Sequence, residues 1–273
     1  MTQTERRKFL IEYLLAENSQ YGGVQISESE SEQKQLLRAL VNVRPADPAS
    51  EAFLHIQDEY LQEENKLRGI TDIKDLVPAC NGLYLWRGDI TALKVDAIVN
   101  AANSGMTGCW QPCHACIDNC IHTFAGIRLR AVCDSMMKKQ GHEEPTGQAK
   151  ITPAFNLSCK FVLHTVGPIV GEQLTQTDCE LLSSCYKSCL DLAQSSGVSS
   201  IAFCCISTGV FRFPQEKAAQ IAVATVREWK ETQEKPEFSP NKTGLTDGMN
   251  VVFNVFSEKD EHIYRRLLYE RED

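Results

Sequence analysis

Five short apolar runs alternate with helical patterns along roughly the last two-thirds of the chain: Leu83-Tyr84-Leu85-Trp86, Ala97-Ile98-Val99, Phe161-Val162-Leu163-His164, Ile201-Ala202-Phe203-Cys204-Cys205 and Val251-Val252-Phe253-Asn254-Val255-Phe256. Runs this short and apolar suit strands buried on both faces. Between them, apolar spacing predicts helices over Ile117 to Gln140, Asp178 to Ser196 (closed by Gly197) and Gln215 to Lys230, with a last helix from about Lys259 to Glu270. Such alternation argues for an α/β layered fold with a largely parallel sheet. Lys235 to Gly248, polar and containing Pro and Gly, reads as an exposed loop.

Residues before about 75 show no such alternation. Phe9, Leu10, Tyr13 and Leu14 fall at helical spacing between Thr4 and Glu17, and Leu36, Leu37, Leu40 and Val41 repeat the pattern. Phe53, Leu54, Tyr60 and Leu61 form a third face behind Ser50, a suitable N-cap, while Pro45 and Pro48 break the second helix from the third. The chain therefore divides into a helical extension over residues 1–75, whose apolar faces serve packing, and an α/β domain over 76–273.

A formal net charge of −8 argues against a nucleic-acid binder that works by neutralising phosphates. An anionic ligand would have to be met locally, by backbone N–H groups and helix ends. No apolar run is long enough to span a bilayer, and Met1-Thr2-Gln3-Thr4-Glu5-Arg6-Arg7 lacks the features of a signal peptide. The expected location is cytoplasmic, with the 12 Cys as thiols or metal ligands instead of disulfides.

Chemistry concentrates in one loop, Cys109-Trp110-Gln111-Pro112-Cys113-His114-Ala115-Cys116, between a predicted strand and a predicted helix. Thiolate and imidazole donors at this density point to zinc, in the place where α/β proteins hold ligands. Spacing alone leaves several donor sets open. Cys113 and Cys116 form a C-x-x-C that suits a metal or a redox pair, and Cys120 stands one helical turn beyond Cys116. Four protein ligands would make the site structural; three would leave a position for water or a ribose hydroxyl.

Gly88-Asp89-Ile90-Thr91, Asp96-Ala97-Ile98-Val99-Asn100-Ala101-Ala102-Asn103, His164-Thr165-Val166-Gly167-Pro168 and Ser207-Thr208-Gly209-Val210-Phe211 occur in this order at predicted strand ends. Together they resemble the macrodomain family. The Cys/His loop and the following Ile117-Asp118-Asn119-Cys120-Ile121-His122 narrow the resemblance to the zinc-dependent, sirtuin-linked macrodomains, protein-ADP-ribose hydrolases that also carry an N-terminal helical extension. The resemblance implies a three-layer α/β/α macrodomain with a mixed, largely parallel sheet. It implies one Zn2+ per chain on Cys109, His114 and Cys116, and catalytic roles for Asn103, Asp118 and His122. ADP-ribose would be held by Asp89, Ile90, Asn100, Asn103, Ser207, Thr208, Gly209, Val210, Phe211 and Phe256.

Each residue also has a plainer reading. Asp89 follows a glycine and suits any turn; Asn100 suits a turn or a helix cap; His122 and His164 suit the core. Phe256 reads as strand-end packing or as a ring to stack on adenine. The small residues from Ser207 to Phe211 let successive N–H groups turn toward a diphosphate before a helix announced by Pro214. Arg212 stands where relatives commonly have Gly, and either leans on the phosphates or points to solvent.

The expected activity is zinc-dependent removal of mono-ADP-ribose from oxygen-linked acceptors on modified proteins, releasing ADP-ribose and functionally paired with a sirtuin-type ADP-ribosyltransferase. The main alternative is a non-catalytic ADP-ribose reader with a structural zinc. A thiol sensor built on Cys113 and Cys116 is a third reading.

Overall fold

The structure, a computed structural model, describes residues 1–234 and 248–269. The loop expected from Lys235 to Gly248 falls outside them except for Gly248, as does Glu270. The chain begins with α1 (Gln3–Ala16), α2 (Glu30–Val43) and α3 (Glu51–Leu67). Thr2 and Glu5 form a capping box on α1, and the Ser50 side chain caps α3 by accepting from Phe53 N at 3.2 Å. Leu10, Ile11, Leu14, Leu37, Leu40, Phe53, Tyr60 and Leu61 form the core of these helices, and Ile127 joins them from beyond the extension.

The extension ends in a two-residue strand that the apolar pattern did not disclose: β1 (Thr71–Asp72) runs parallel to β3 (Leu93–Lys94). Among the described residues the main sheet has six strands, ordered β2 (Leu83–Arg87), β8 (Asn250–Val255), β7 (Ser200–Phe203), β4 (Ala97–Ala102), β6 (Phe161–Val166) and β5 (Ala149–Pro153). All neighbours are parallel except β5, which is antiparallel to β6. Ile98, Val99, Val162, Leu163, Ile201, Ala202, Val251 and Val252 are fully buried along it, as expected of a parallel sheet covered on both faces. Helices lie on both sides, so the sheet is mixed, mostly parallel and layered as the sequence predicts. β5 was not anticipated; it is half-buried and closes on Pro153, a residue that suits a sheet edge.

One expected helix is two. Ile117 to Gln140 breaks at Gly126 (φ +92°) into α4 (Ile117–Ala125) and α5 (Ile127–Gln140). Gln57 of α3 fills the break, its Oε1 accepting from Ile127 N at 3.1 Å. A Cβ at position 126 would lie 3.0 Å from Gln57 Nε2. The extension thus docks onto α4 and α5. The remaining α-helices among the described residues are α6 (Gln176–Ser195), α7 (Gln215–Glu234) and α8 (Glu258–Tyr269), close to the predicted spans.

Candidate active site

The segments that follow the C-terminal ends of β2, β4, β6, β7 and β8 converge on one cleft of about 1020 Å3. This is where open α/β sheets bind ligands. Asn103 leaves the end of β4 and Asp118 sits in the first turn of α4; both line the cleft. Asn103 Nδ2 donates to Asp118 Oδ2 and to the Gly108 carbonyl, each at 3.1 Å, while its Oδ1 accepts from Gly105 N at 3.0 Å. Burial pushes the Asp118 carboxyl up to about 6, against the downward pull of hydrogen bonds from Asn100 and Asn103.

Asn100 and His122 are not on the cleft wall; they lie behind Asp118. Asn100 is fully buried, donates to Asp118 Oδ1 at 2.8 Å and lies 3.2 Å from His164 Nδ1. It braces the carboxylate instead of facing a ligand. His122 is 3% exposed, with Nε2 3.6 Å from Asp118 Oδ1 and no hydrogen-bond partner on either ring nitrogen. Burial foremost, then the neighbouring His164 and Arg130, holds its pKa well below the ordinary value. His164 is in the core, 2.9 Å from Thr152 Oγ1.

Beside this pair runs the Cys/His loop. Cys116 caps α4, its Sγ accepting from Asn119 N at 3.4 Å. Cys109 Sγ lies 3.5 Å from His114 Nδ1, and the donor atoms of Cys109, His114 and Cys116 all fall within 4.8 Å of one another. Zinc bonds of about 2.0–2.3 Å put tetrahedral neighbours roughly 3.5–3.8 Å apart, so the donor set fits this ion. Burial, opposed by the Asn119 N–H and reinforced by Cys109, pushes the Cys116 thiol up to about 12. Thiols this close ionise together only with a cation beside them. All three residues line the cleft. Cys113 and Cys120 do not join them: Cys113 Sγ donates to the Gln35 carbonyl at 3.4 Å, and Cys120 Sγ accepts from Arg38 Nη2 at 3.5 Å.

Ser207, Thr208, Gly209, Val210 and Phe211 curl along the cleft between β7 and α7. Ser207 takes φ +65°, and its buried Oγ has no partner. Arg212 is exposed and faces a separate cavity shared with Glu216, Lys259 and His262. Asp89 also lines the cleft; its Oδ1 accepts from Thr91 N at 2.9 Å and Thr91 Oγ1 at 2.6 Å, while Oδ2 accepts from Arg68 Nη2. Ile90 beside it lines the cleft with its side chain buried. Phe256 is 81% exposed, so its ring is not spent on packing.

Sequence reasoning missed three cleft or cleft-edge groups. Arg38 of α2 lines the cleft, and Arg68, just past α3, holds Asp89 while lying 3.6 Å from the Phe124 ring centroid. Both belong to the extension, and an arginine on a helix face reads as solvated until its docking is known. Trp110 stands on the loop, half-exposed, with Arg130 4.2 Å from its ring centroid. Its exposed position in a Cys/His loop was the available signal.

The mixed, mostly parallel sheet with its strand-end cleft is a macrodomain fold, and the family model described as Macro domain matches residues 99–222. A protein-ADP-ribose hydrolase of Treponema medium is 65% identical over 272 residues, covering 98% of this chain and all of that protein. Another from Staphylococcus aureus (strain COL) is 48% identical over 234 residues, covering 85% of this chain and 83% of that one. Among solved structures, the Trypanosoma brucei macrodomain in complex with ADP-ribose is 28% identical with a TM-score of 0.61, covering 89% of this chain and 97% of that one. The chain belongs to the macrodomain family, in its branch of protein-ADP-ribose hydrolases.

Proposed function

We propose that this chain hydrolyses the bond between ADP-ribose and an oxygen-linked acceptor on a mono-ADP-ribosylated protein, with zinc held by Cys109, His114 and Cys116. The observation that carries this reading is the three-donor cluster opening on the cleft beside Asn103 and Asp118. Asp89 would accept the adenine amino group, with the main chain of buried Ile90 alongside and the exposed Phe256 ring stacking on the base. Main-chain N–H groups from Ser207 to Phe211 would hold the diphosphate, which lets an acidic protein bind an anion without a basic surface. Asn103 and Asp118 would orient the distal ribose and the attacking water, since Asp118 keeps lone pairs beyond those that Asn100 and Asn103 occupy. When bound, Zn2+ on two thiolates and one imidazole would supply Lewis acidity at a remaining open position. Two thiolates and a neutral imidazole would neutralise the ion, so its bound water would be less acidic than at an all-His site, and orientation of the ribose and water by the protein groups would carry much of the acceleration.

The test is release of ADP-ribose from defined aspartate-, glutamate- and serine-linked peptides, with and without a zinc chelator. Turnover is expected with the zinc-loaded protein, and its loss after chelation and in Cys116→Ala. Equal turnover by the chelated protein would refute the metal's part. Tight ADP-ribose binding with no turnover on any peptide would make the protein a reader.

A further inference from the structure

Arg38 and Asn42 stand one turn apart on α2, at i and i+4, and both reach the Cys/His loop. Arg38 Nη2 donates to the His114 carbonyl at 2.8 Å and to Asn119 Oδ1 at 2.9 Å. Asn42 Oδ1 accepts from Cys113 N at 2.9 Å, while its Nδ2 donates to Thr123 Oγ1 at 2.9 Å. One helix face therefore grips the Cys113–His114 dipeptide at the N–H of its first residue and the carbonyl of its second. Cys113 sits at φ +54°, a left-handed conformation that costs a cysteine free energy and persists only where its surroundings impose it. The same turn brings His114 Nδ1 to 3.5 Å from Cys109 Sγ.

Two further groups close the circuit. Asn119, fully buried, donates from Nδ2 to the Gln111 carbonyl at 3.0 Å. Arg130, 5% exposed, donates to the Arg44 carbonyl at 2.6 Å and the Val41 carbonyl at 3.2 Å near the end of α2. It also donates to the Thr107 carbonyl at 2.7 Å, just before the loop begins. The loop is tied to the extension at its start and at the residue that turns it.

We propose that α2 is a built part of the metal site, with Arg38 a positioning residue that, together with Asn42, holds loop 109–116 in its ligating shape before the ion arrives. The inference rests on the zinc reading above. It gives the extension a function beyond packing: it carries the ordering cost of the donor loop, which the ion would otherwise meet on binding.

Zinc affinity, measured by competition with a chromophoric chelator, tests this in the full chain. Arg38→Ala is expected to bind Zn2+ roughly 10- to 100-fold more weakly, the range typical of lost ligand-orienting contacts, with Arg38→Lys intermediate. Arg6→Ala removes an ion pair to Glu59 inside the extension and should bind as wild type. In metal-free protein, amides of residues 109–116 should exchange faster in Arg38→Ala than in Arg6→Ala. If Arg38→Ala does not fold, Arg38→Lys and Asn42→Ser carry the same comparison. Zinc affinity equal to wild type would overturn the proposal. Equal weakening in Arg6→Ala would also overturn it, by tracing the effect to extension stability. A wild-type chain that takes up no zinc overturns this inference together with the reading beneath it; a zinc-binding wild type with an unaffected Arg38→Ala overturns this one alone.

Discussion

Gly108→Ala probes the joint between the Cys/His loop and the residues behind Asp118. Gly108 sits at φ +84°, and the space a side chain would need there is taken by the His122 ring. A Cβ there would fall 2.8 Å from His122 Cγ, 2.9 Å from Cδ2 and 3.0 Å from Nδ1. The ring is 3% exposed and cannot swing into solvent. The left-handed backbone costs an alanine about 1–2 kcal/mol, and forcing a methyl into a filled core costs about 1–3 kcal/mol. Gly108→Ala should therefore destabilise the protein by about 2–5 kcal/mol, read by urea unfolding of the metal-free form. Gly171→Ala, where an added Cβ meets nothing within 4 Å, should stay within about 0.5 kcal/mol of wild type. In a His122→Ala background the steric part disappears, and Gly108→Ala should cost only the backbone part, about 1–2 kcal/mol. The Gly108 carbonyl accepts from Asn103 Nδ2, so a displaced Gly108 also shifts Asn103, and turnover should fall with stability. A Gly108→Ala protein as stable as wild type, or one losing the same amount in both backgrounds, refutes the reasoning.

Other perturbations separate the parts of the cleft. Asp118→Asn should lower kcat by at least ~100-fold while ADP-ribose binding, followed by calorimetry, is retained; an unchanged kcat removes Asp118 from the chemistry. Phe256→Ala should weaken ADP-ribose about 2- to 10-fold, the worth of one stacked ring, with no change in melting temperature because the ring is exposed. His164 predicts acid sensitivity: burial lowers its pKa to about 4, below the unfolded value near 6.5. The unfolded chain takes up that proton first, so stability is complete above about pH 6.5 and falls until about pH 4, by about 3 kcal/mol in all. Unfolding free energies of wild type and His164→Gln across this window isolate the contribution, and parallel curves would refute it.

Five strands of the main sheet were legible because their runs are largely apolar, whereas half-buried β5 was not, and the cleft was legible because its residues lie where the legible strands end. Asn103, Cys109, His114, Cys116, Asp118 and Ser207 to Phe211 all line the cleft from segments beyond those strand ends. Asn100 and His122 illustrate what sequence pattern withholds. Asn100 is three residues from Asn103, but register pairs it with His164 on the adjacent parallel strand, and both side chains pack together in the core. Register depends on strand order, which no local period reveals. Gly126 read as one more residue in an amphipathic helix because its break depends on Gln57, 69 positions earlier in the chain. Arg38 and Arg68 were invisible for the same reason: their partners lie on elements whose docking the apolar faces predict only in outline.

The buried groups behind Asp118 are costly for a core. Asn100 Oδ1 and both nitrogens of His122 are shielded from solvent without hydrogen-bond partners, and each such atom costs about 1–3 kcal/mol. Apolar residues of similar volume would remove that cost, so stability alone does not account for them. What they provide is restraint: Asn100 fixes one Asp118 oxygen and Asn103 the other, while the His122 ring leaves no room for a side chain at Gly108, whose carbonyl receives Asn103. The Cys/His loop is restrained in the same manner by Arg38 and Asn42, and the residue just before it by Arg130. Departures from core-packing rules thus collect around the carboxylate and the donor cluster, where a hydrolase gains most from atoms that do not move.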